Sequence, residues 1–220
     1  MDFTNAIFPP ELLWWSNLIY ALVILLAAWT TPWARLKDSR TLNVWLGTIV
    51  VLIVLWNLRA HLDDGLNLHL LGATAMALMF GWHLGLIGMG VVNAVMVLLG
   101  NIHPWNLGMN GLVYTVVSIS LAYTIFLVQE AKLPRNFFVY IFVSAFFGAW
   151  VVVVGTGVVS TLLLTLSDMQ SHMLFQVYLP FYIPLGFSEA WLTGAHLSVF
   201  AVYKPHWVYT FRDERYLLGK

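Results

Sequence analysis

The chain has no cysteine among its 220 residues, which excludes disulfides, zinc–thiolate sites and iron–sulfur clusters. Charge is almost as scarce. Only 9% of residues are charged and the formal net charge is zero, whereas a soluble domain carries about 25% charged residues. A protein that neutralises phosphates needs a basic stripe, so nucleic-acid binding is excluded as a function class. The first ten residues hold no lysine or arginine, and no small-residue cleavage site follows the first apolar run. A secretory signal is therefore not expected. The N-terminus reads as mature, with Met1 retained because Asp2 is too large a neighbour for its routine removal. No Gly-x-x-x-x-Gly-Lys-Ser/Thr phosphate loop occurs, so any ATP hydrolysis has to come from a partner.

Hydrophobicity is what the chain has in excess: 60% of residues are hydrophobic and the mean hydropathy is +0.82. Eleven tryptophans and nine tyrosines suit a protein anchored at two water–lipid interfaces. A helix that crosses a bilayer needs about 20 apolar residues, fewer when it is buried among others. On that measure the apolar segments are 12–30, 42–58, 69–80, 84–99, 107–128, 137–166 and 174–203. The long run 68–100 exceeds one span and breaks most naturally at Gly81-Trp82-His83. The expectation is an all-α, polytopic integral membrane protein of about seven transmembrane helices. Residues 1–203 form one transmembrane domain and 204–220 a short tail.

Cytoplasmic loops collect lysine and arginine. With the N-terminus outside, the inner segments are 31–41, the turn at Gly81, 129–136 and the tail from Lys204. They hold nine of the ten basic residues, and Arg59 alone falls outside. The C-terminus is thus cytoplasmic, and the natural setting is a bacterial inner membrane. Gly81 and Gly85 form a small-xxx-small pair that allows close helix approach. Gly155-Thr156-Gly157 allows the same, or marks a kink.

This topology sorts the ionisable groups. His61, His69, His103 and His172 fall on the outer side, with the α-amine, Asp2, Glu11, Asp63, Asp64 and Asp168. Imidazoles, carboxylates and an amine without a thiol suit a borderline divalent ion such as Ni²⁺, Co²⁺, Cu²⁺ or Zn²⁺. The alternative is that interface histidines cap helix ends and meet lipid headgroups. Glu189 stands inside an apolar helix, where an ionisable group is costly and points by default to function. The alternative is a structural hydrogen bond to a neighbouring helix. Asn93 and Asn110 are polar side chains in apolar runs that could tie helices together.

Three short stretches carry a family resemblance. His69-Leu-Leu-Gly72-Ala-Thr-Ala is followed by Leu107-Gly-Met-Asn110-Gly and, near the end, by Glu189-Ala-Trp-Leu-Thr193-Gly194. With Ala6-Ile-Phe-Pro9-Pro10 at the start, this order resembles the cobalt/nickel M-type substrate-capture proteins of energy-coupling factor ABC transporters. The resemblance implies a membrane component that binds a divalent transition metal as substrate, nickel or cobalt first, and is not an enzyme. It implies no organic cofactor. Its partners would be membrane lipid, a coupling transmembrane subunit and cytoplasmic ATPase subunits. By position, the ligands would be the Met1 amine, the amide of position 2 and the His69 imidazole, with Asn110 and Glu189 holding the bundle around the path. Position 2 carries Asp2 where the family has histidine. Either Asp2 supplies an oxygen, or His61 or His103 fills the place, or this member binds neither nickel nor cobalt. Two other readings stand beside it. One is a scaffold subunit that keeps the fold without the ion. The other is a haem-binding redox subunit, for which His196 is the histidine set within a span.

Overall fold

The computed structural model describes residues 2–3, 8–63, 66–167, 169–212 and 216. Helix α1 (Pro10–Thr30) opens on a proline, whose fixed φ suits a first turn, and stops before Pro32. A short 3₁₀ turn, Trp33–Lys37, leads to α2 (Ser39–Asn57). Asp38 caps α2: its carboxylate accepts from the Thr41 amide at 3.1 Å and the Thr41 hydroxyl at 2.8 Å. Those bonds hold the Asp38 carboxyl below the usual carboxylate range.

The polar stretch after α2, residues 59–67, gives rise to two strands, β2 (Ala60–Asp63) and β3 (Leu66–Leu68). A third strand, β1 (Asp2–Phe3), completes an antiparallel sheet in the order β1-β3-β2. Asp2 pairs with Asn67 from one side and His61 pairs with it from the other. Polar residues 59–67 lack a strand-like apolar alternation; β2 and β3 nonetheless pair as a local hairpin, to which β1 is added from the start of the chain.

Helix α3 (Ala73–Leu98) is interrupted at Gly81, whose φ of 83° is open only to glycine without strain. In one straight helix residues 77 and 85 would stand about 12 Å apart along the axis. Here a Cβ on Gly85 would lie 3.6 Å from Ala77 Cα, so the two halves fold back on each other as a hairpin. The break falls where the sequence places it. The first half starts at Ala73 and not near His69, because residues 69–72 are a non-helical turn. Its eight residues, 73–80, reach about 12 Å, well short of a hydrocarbon core about 30 Å thick. Helices α4 (Pro104–Lys132), α5 (Phe137–Leu164) and α6 (Leu179–Tyr203) follow. π-Helical stretches interrupt α4 at Gly111–Val117 and α5 at Tyr140–Phe147, and another, Met173–Tyr178, leads into α6. Five helices, α1 to α5, are long and apolar enough to cross a membrane among the described residues. Among the described residues α1 to α6 make seven segments when the halves of α3 are counted apart, and the eight-residue first half is too short to be a span.

The molecule is an all-α membrane protein whose outer surface is apolar. Trp29 is 85% and Leu98 84% exposed, as lipid-facing side chains are. Buried positions on α1, namely Leu13, Ser16, Tyr20 and Ala27, form one narrow stripe at helical spacing. That stripe meets α4 at Gly108 and Gly111. A Cβ on Gly108 would stand 2.4 Å from the Asn17 backbone, and one on Gly111 would strike the Tyr20 ring. Asn17 Oδ1 accepts the Gly108 amide at 2.9 Å.

One end of the bundle gathers the cationic segments. The Arg35 guanidinium donates to the Phe80 carbonyl (2.8 Å) beside Gly81, and the Tyr209 and Thr210 amides donate to Met79 and Leu78. Tyr216 donates to Glu130, which also pairs with Arg135 at 3.4 Å. Loop 31–41, the Gly81 turn, the 129–136 junction and the C-terminal segment therefore share one face. This is the face that the positive-inside rule assigns to the cytoplasm. Arg59, donating to Asn101 at 3.2 Å, lies beyond the other end of α2.

Gly108→Ala tests the α1–α4 approach. Alanine favours helix by about 1 kcal/mol over glycine, but here its methyl meets backbone, which cannot rotate away. Net destabilisation of about 1–3 kcal/mol is expected, read as a lower thermal midpoint in detergent, whereas Gly47→Ala, with open space around it, is expected to show none.

Candidate functional site

The site begins with a turn that cannot be helical. Gly72 has φ of 71° and closes residues 69–72 into the N-terminus of α3. A glycine at this position has no side chain with which to cap the helix, and none caps it. The acceptor comes from α6. Glu189 Oε2 accepts the Leu71 amide at 2.9 Å and Oε1 accepts the Gly72 amide at 2.5 Å. Two successive N–H groups aimed at one carboxylate form an anion-binding concavity, and the positive end of the α3 dipole lies behind it. Glu189 is 3% exposed. Its role is a hydrogen bond to backbone on a neighbouring element, and that backbone is the turn carrying His69.

His69 is 2% exposed. Its ring packs against Trp56 of α2 with centroids 4.5 Å apart, and Trp56 Nε1 donates to the Leu71 carbonyl at 3.1 Å. One indole thus orients both the ring and the turn. His69 Nδ1 lies 2.9 Å from the Leu70 carbonyl. A carbonyl can only accept, so Nδ1 is the protonated nitrogen in this contact, and Nε2 is the nitrogen that bears the lone pair whenever the ring is neutral.

The start of the chain is brought to the same place. Phe3 is fully buried, its ring 5.0 Å from Phe8 and 5.3 Å from Tyr114. Asn110 reads its backbone as a neighbouring strand would: Oδ1 accepts the Phe3 amide at 2.9 Å and Nδ2 donates to the Phe3 carbonyl at 3.1 Å. Asn106 Nδ2 adds a second bond to that carbonyl at 2.9 Å. On its other edge β1 pairs with β3, which ends one residue before His69. Beneath Phe3, Tyr114, Ser160, Tyr178 and Tyr182 join α4, α5 and α6 through a buried chain of hydroxyls.

The expected site residues thus divide. The backbone of Asp2, His69, Asn110 and Glu189 converge on one region through β1, β3 and the 69–72 turn. His61 joins them through its backbone register with Asn67. Met1 and Asp64 lie outside the described residues, and so does Asp168. His103 is exposed, and its Nδ1 accepts the Trp105 amide at the turn before α4. That is the capping role considered for an interface histidine. His196 bonds the Leu192 carbonyl of its own helix at 2.7 Å. Asn93 does tie helices, donating to Leu107 at 3.0 Å. No three His, Cys, Asp or Glu side chains cluster among the described residues. Sequence reasoning missed Trp56, Asn67 and Asn106. Asn106 had a signal, since it stands four residues before Asn110 and so on the same helix face. Trp56 had none, being one tryptophan in an apolar span.

Comparison with known proteins adds three findings. The family model of the cobalt uptake substrate-specific transmembrane region matches residues 3–207. In fold the chain is similar to the crystal structure of a truncated transition metal transporter, with TM-score 0.78 and 17% identity over 94% of this chain and 100% of the other. A transition metal transporter gives TM-score 0.77 and 15% identity over 94% and 96%. No curated protein matches in sequence.

Glu189→Gln replaces one acceptor oxygen by a donor, leaving one buried amide of the turn unpaired. Each such loss costs about 1–3 kcal/mol. Hydrogen exchange of the Leu71 and Gly72 amides is expected to quicken by about tenfold or more, with amides in the second half of α3 little changed.

Proposed function

Since residues 3–207 match its family model, the chain belongs to the cobalt uptake substrate-specific transmembrane region family, and from this premise we propose that it is the substrate-capture component of an energy-coupling factor transporter for a divalent transition-metal ion. It captures the ion at the outer face of a bacterial inner membrane. A coupling transmembrane subunit and cytoplasmic ATPase subunits then drive the change of orientation that releases it inward. It is a transport component and not an enzyme, and it takes no organic cofactor.

One observation carries this reading. The first strand is threaded into the bundle, pinned by Asn106 and Asn110, and hydrogen-bonded to the strand that leads into His69. This supports a reading in which the strand carries the chain start toward the His69 imidazole. The ligands are the Met1 amine, the Asp2 amide and His69 Nε2, whose lone pair follows from the Nδ1 contact. Such a nitrogen set favours Ni²⁺ or Cu²⁺ in square-planar or tetragonal geometry over Zn²⁺, and cobalt enters through the family. Nickel or cobalt is the proposed substrate. The fourth position falls to the Asp2 carboxylate or to His61, whose backbone shares the Asn67 register with Asp2. His103, engaged in its own turn, is the weaker choice. A second reading, a subunit that keeps the fold without the ion, rests on Asp2 standing where the family has histidine.

The test is calorimetric titration of Ni²⁺, Co²⁺, Cu²⁺ and Zn²⁺ into detergent-purified protein with a native N-terminus. His69→Ala is expected to weaken binding by more than the 10- to 100-fold, roughly, that outer-shell partners are worth. Asp2→His is expected to tighten Ni²⁺ binding. Affinity should fall as pH drops, because the ligating nitrogens must lose protons to bind. Binding of no ion, or binding indifferent to His69, supports the second reading instead.

A further inference from the structure

A groove between α2 and α6 lies away from the N-terminal strand and has no part in the capture site's ligand set. It runs from Asn43 to Leu55 on α2 and from Glu189 to Phe200 on α6, with the first half of α3 as its floor. Each stretch is about 17 Å long at the helical rise. One leaflet of a bilayer contributes half of a core about 30 Å thick, so the groove matches one leaflet in depth. Its volume is about 790 Å³ and its walls are almost wholly apolar. At its middle, Gly47 leaves open space, with nothing within 4 Å of where a Cβ would stand.

At the cytoplasmic end the groove continues into a smaller pocket of about 240 Å³. The two share Val44, Met79 and Trp207, and the smaller adds Arg35, Thr41 and His206. Arg35 is half-buried, lies 3.8 Å over the Tyr209 ring and donates one N–H to Phe80. Burial pulls its pKa below the usual arginine value. No carboxylate pairs with it among the described residues, and Asp38, the carboxylate of this loop, is taken up by the α2 N-terminus. A half-buried guanidinium therefore faces a pocket in which no described residue supplies a counter-ion, at the mouth of an apolar groove one leaflet deep.

We propose that this groove is a binding site for an anionic phospholipid of the inner leaflet, with its phosphate on Arg35, beside Thr41 and His206, and one acyl chain lying between α2 and α6. A guanidinium fork suits phosphate oxygens, and basic pockets between helices on the cytoplasmic side recognise anionic headgroups. The far end of the chain would rest against Gly72 and Glu189, behind the turn that carries His69. A crossing partner helix fits less well, since it would need about 30 Å of groove and this one ends at Glu189.

Native mass spectrometry of the purified full chain tests this with palmitoyl-oleoyl phosphatidylglycerol, phosphatidylcholine of the same chains, and inorganic phosphate. One phosphatidylglycerol should be retained about fivefold over phosphatidylcholine, the worth of one basic residue at a membrane surface. Arg35→Gln should remove that preference and Arg35→Lys keep most of it. Gly47→Phe, which fills the groove and leaves the charge in place, should lower retention of both lipids, and it stays informative even where Arg35→Gln loosens the Gly81 turn. Equal retention of the two lipids by the wild type overturns the proposal. So does phosphatidylglycerol binding that Gly47→Phe leaves unchanged, and displacement by inorganic phosphate would then identify a free-anion site. Retention of neither lipid also overturns it and leaves the groove to a partner helix.

Discussion

Backbone that is neither helix nor closed sheet is tolerated at membrane depth only when protein satisfies its polar groups, and Glu189 does this for the 69–72 turn. Its two oxygens take the Leu71 and Gly72 amides, Trp56 takes the Leu71 carbonyl, and the turn can then leave helical geometry inside an apolar bundle. Much else follows from that. A non-helical turn shortens the first half of α3, which gives the groove beside it a floor of only eight residues. It also places His69 against Trp56 instead of on a helix face. The carboxylate sits on α6 and the turn on the α3 approach, so two hydrogen bonds tie α6 directly to the His69 turn. An ionisable group in a span is costly, and here both oxygens are used.

The N-terminal strand meets the same constraint by another device. A strand edge left open in an apolar medium strands its N–H and C=O groups. The β1 edge facing α4 is closed by side-chain amides: Asn110 offers both an acceptor and a donor to Phe3, and Asn106 offers a second donor. Asparagine carries the same N–H and C=O pair as a peptide, so one helix turn mimics a neighbouring strand. Gly108 and Gly111 alternate with these groups on α4 and receive Asn17 and Tyr20 of α1. The short Leu-Gly-Met-Asn-Gly stretch therefore serves two faces, one for α1 and one for the chain start.

The two ends of the bundle have different chemistry. At the outer end the contacts are amide to backbone around β1, β3 and the 69–72 turn. At the inner end Arg35, the Gly81 hairpin and the segment after Lys204 are laced together, with Phe211 and Tyr216 stacked and Tyr140 packed against both. The Gly81 hairpin joins the ends: α3 turns at the cationic face and presents the 69–72 turn toward the opposite one.

The sequence by itself determined the membrane class, the helix boundaries to within a few residues, the break at Gly81 and the sidedness. These follow from hydropathy, glycine and charge, each a local or summed property of the chain. Asn110 and Glu189 were also legible as singular polar residues in apolar runs, where their cost marks them, and His69 as an outer-side histidine that opens the family-like stretch. Tertiary structure alone decided what they do. The partners of Glu189 are 117 and 118 residues away, and those of Asn110 up to 107, and no local pattern encodes such distances. The strands at 60–68 stayed hidden because polar residues 59–67 carry no apolar alternation, and the β1 pairing that extends their hairpin comes from the start of the chain. The inward faces of α1 and α2 were equally unreadable, because lipid-facing and buried side chains are both apolar. Only the fold distinguishes them, through glycine, tryptophan and asparagine contacts between helices.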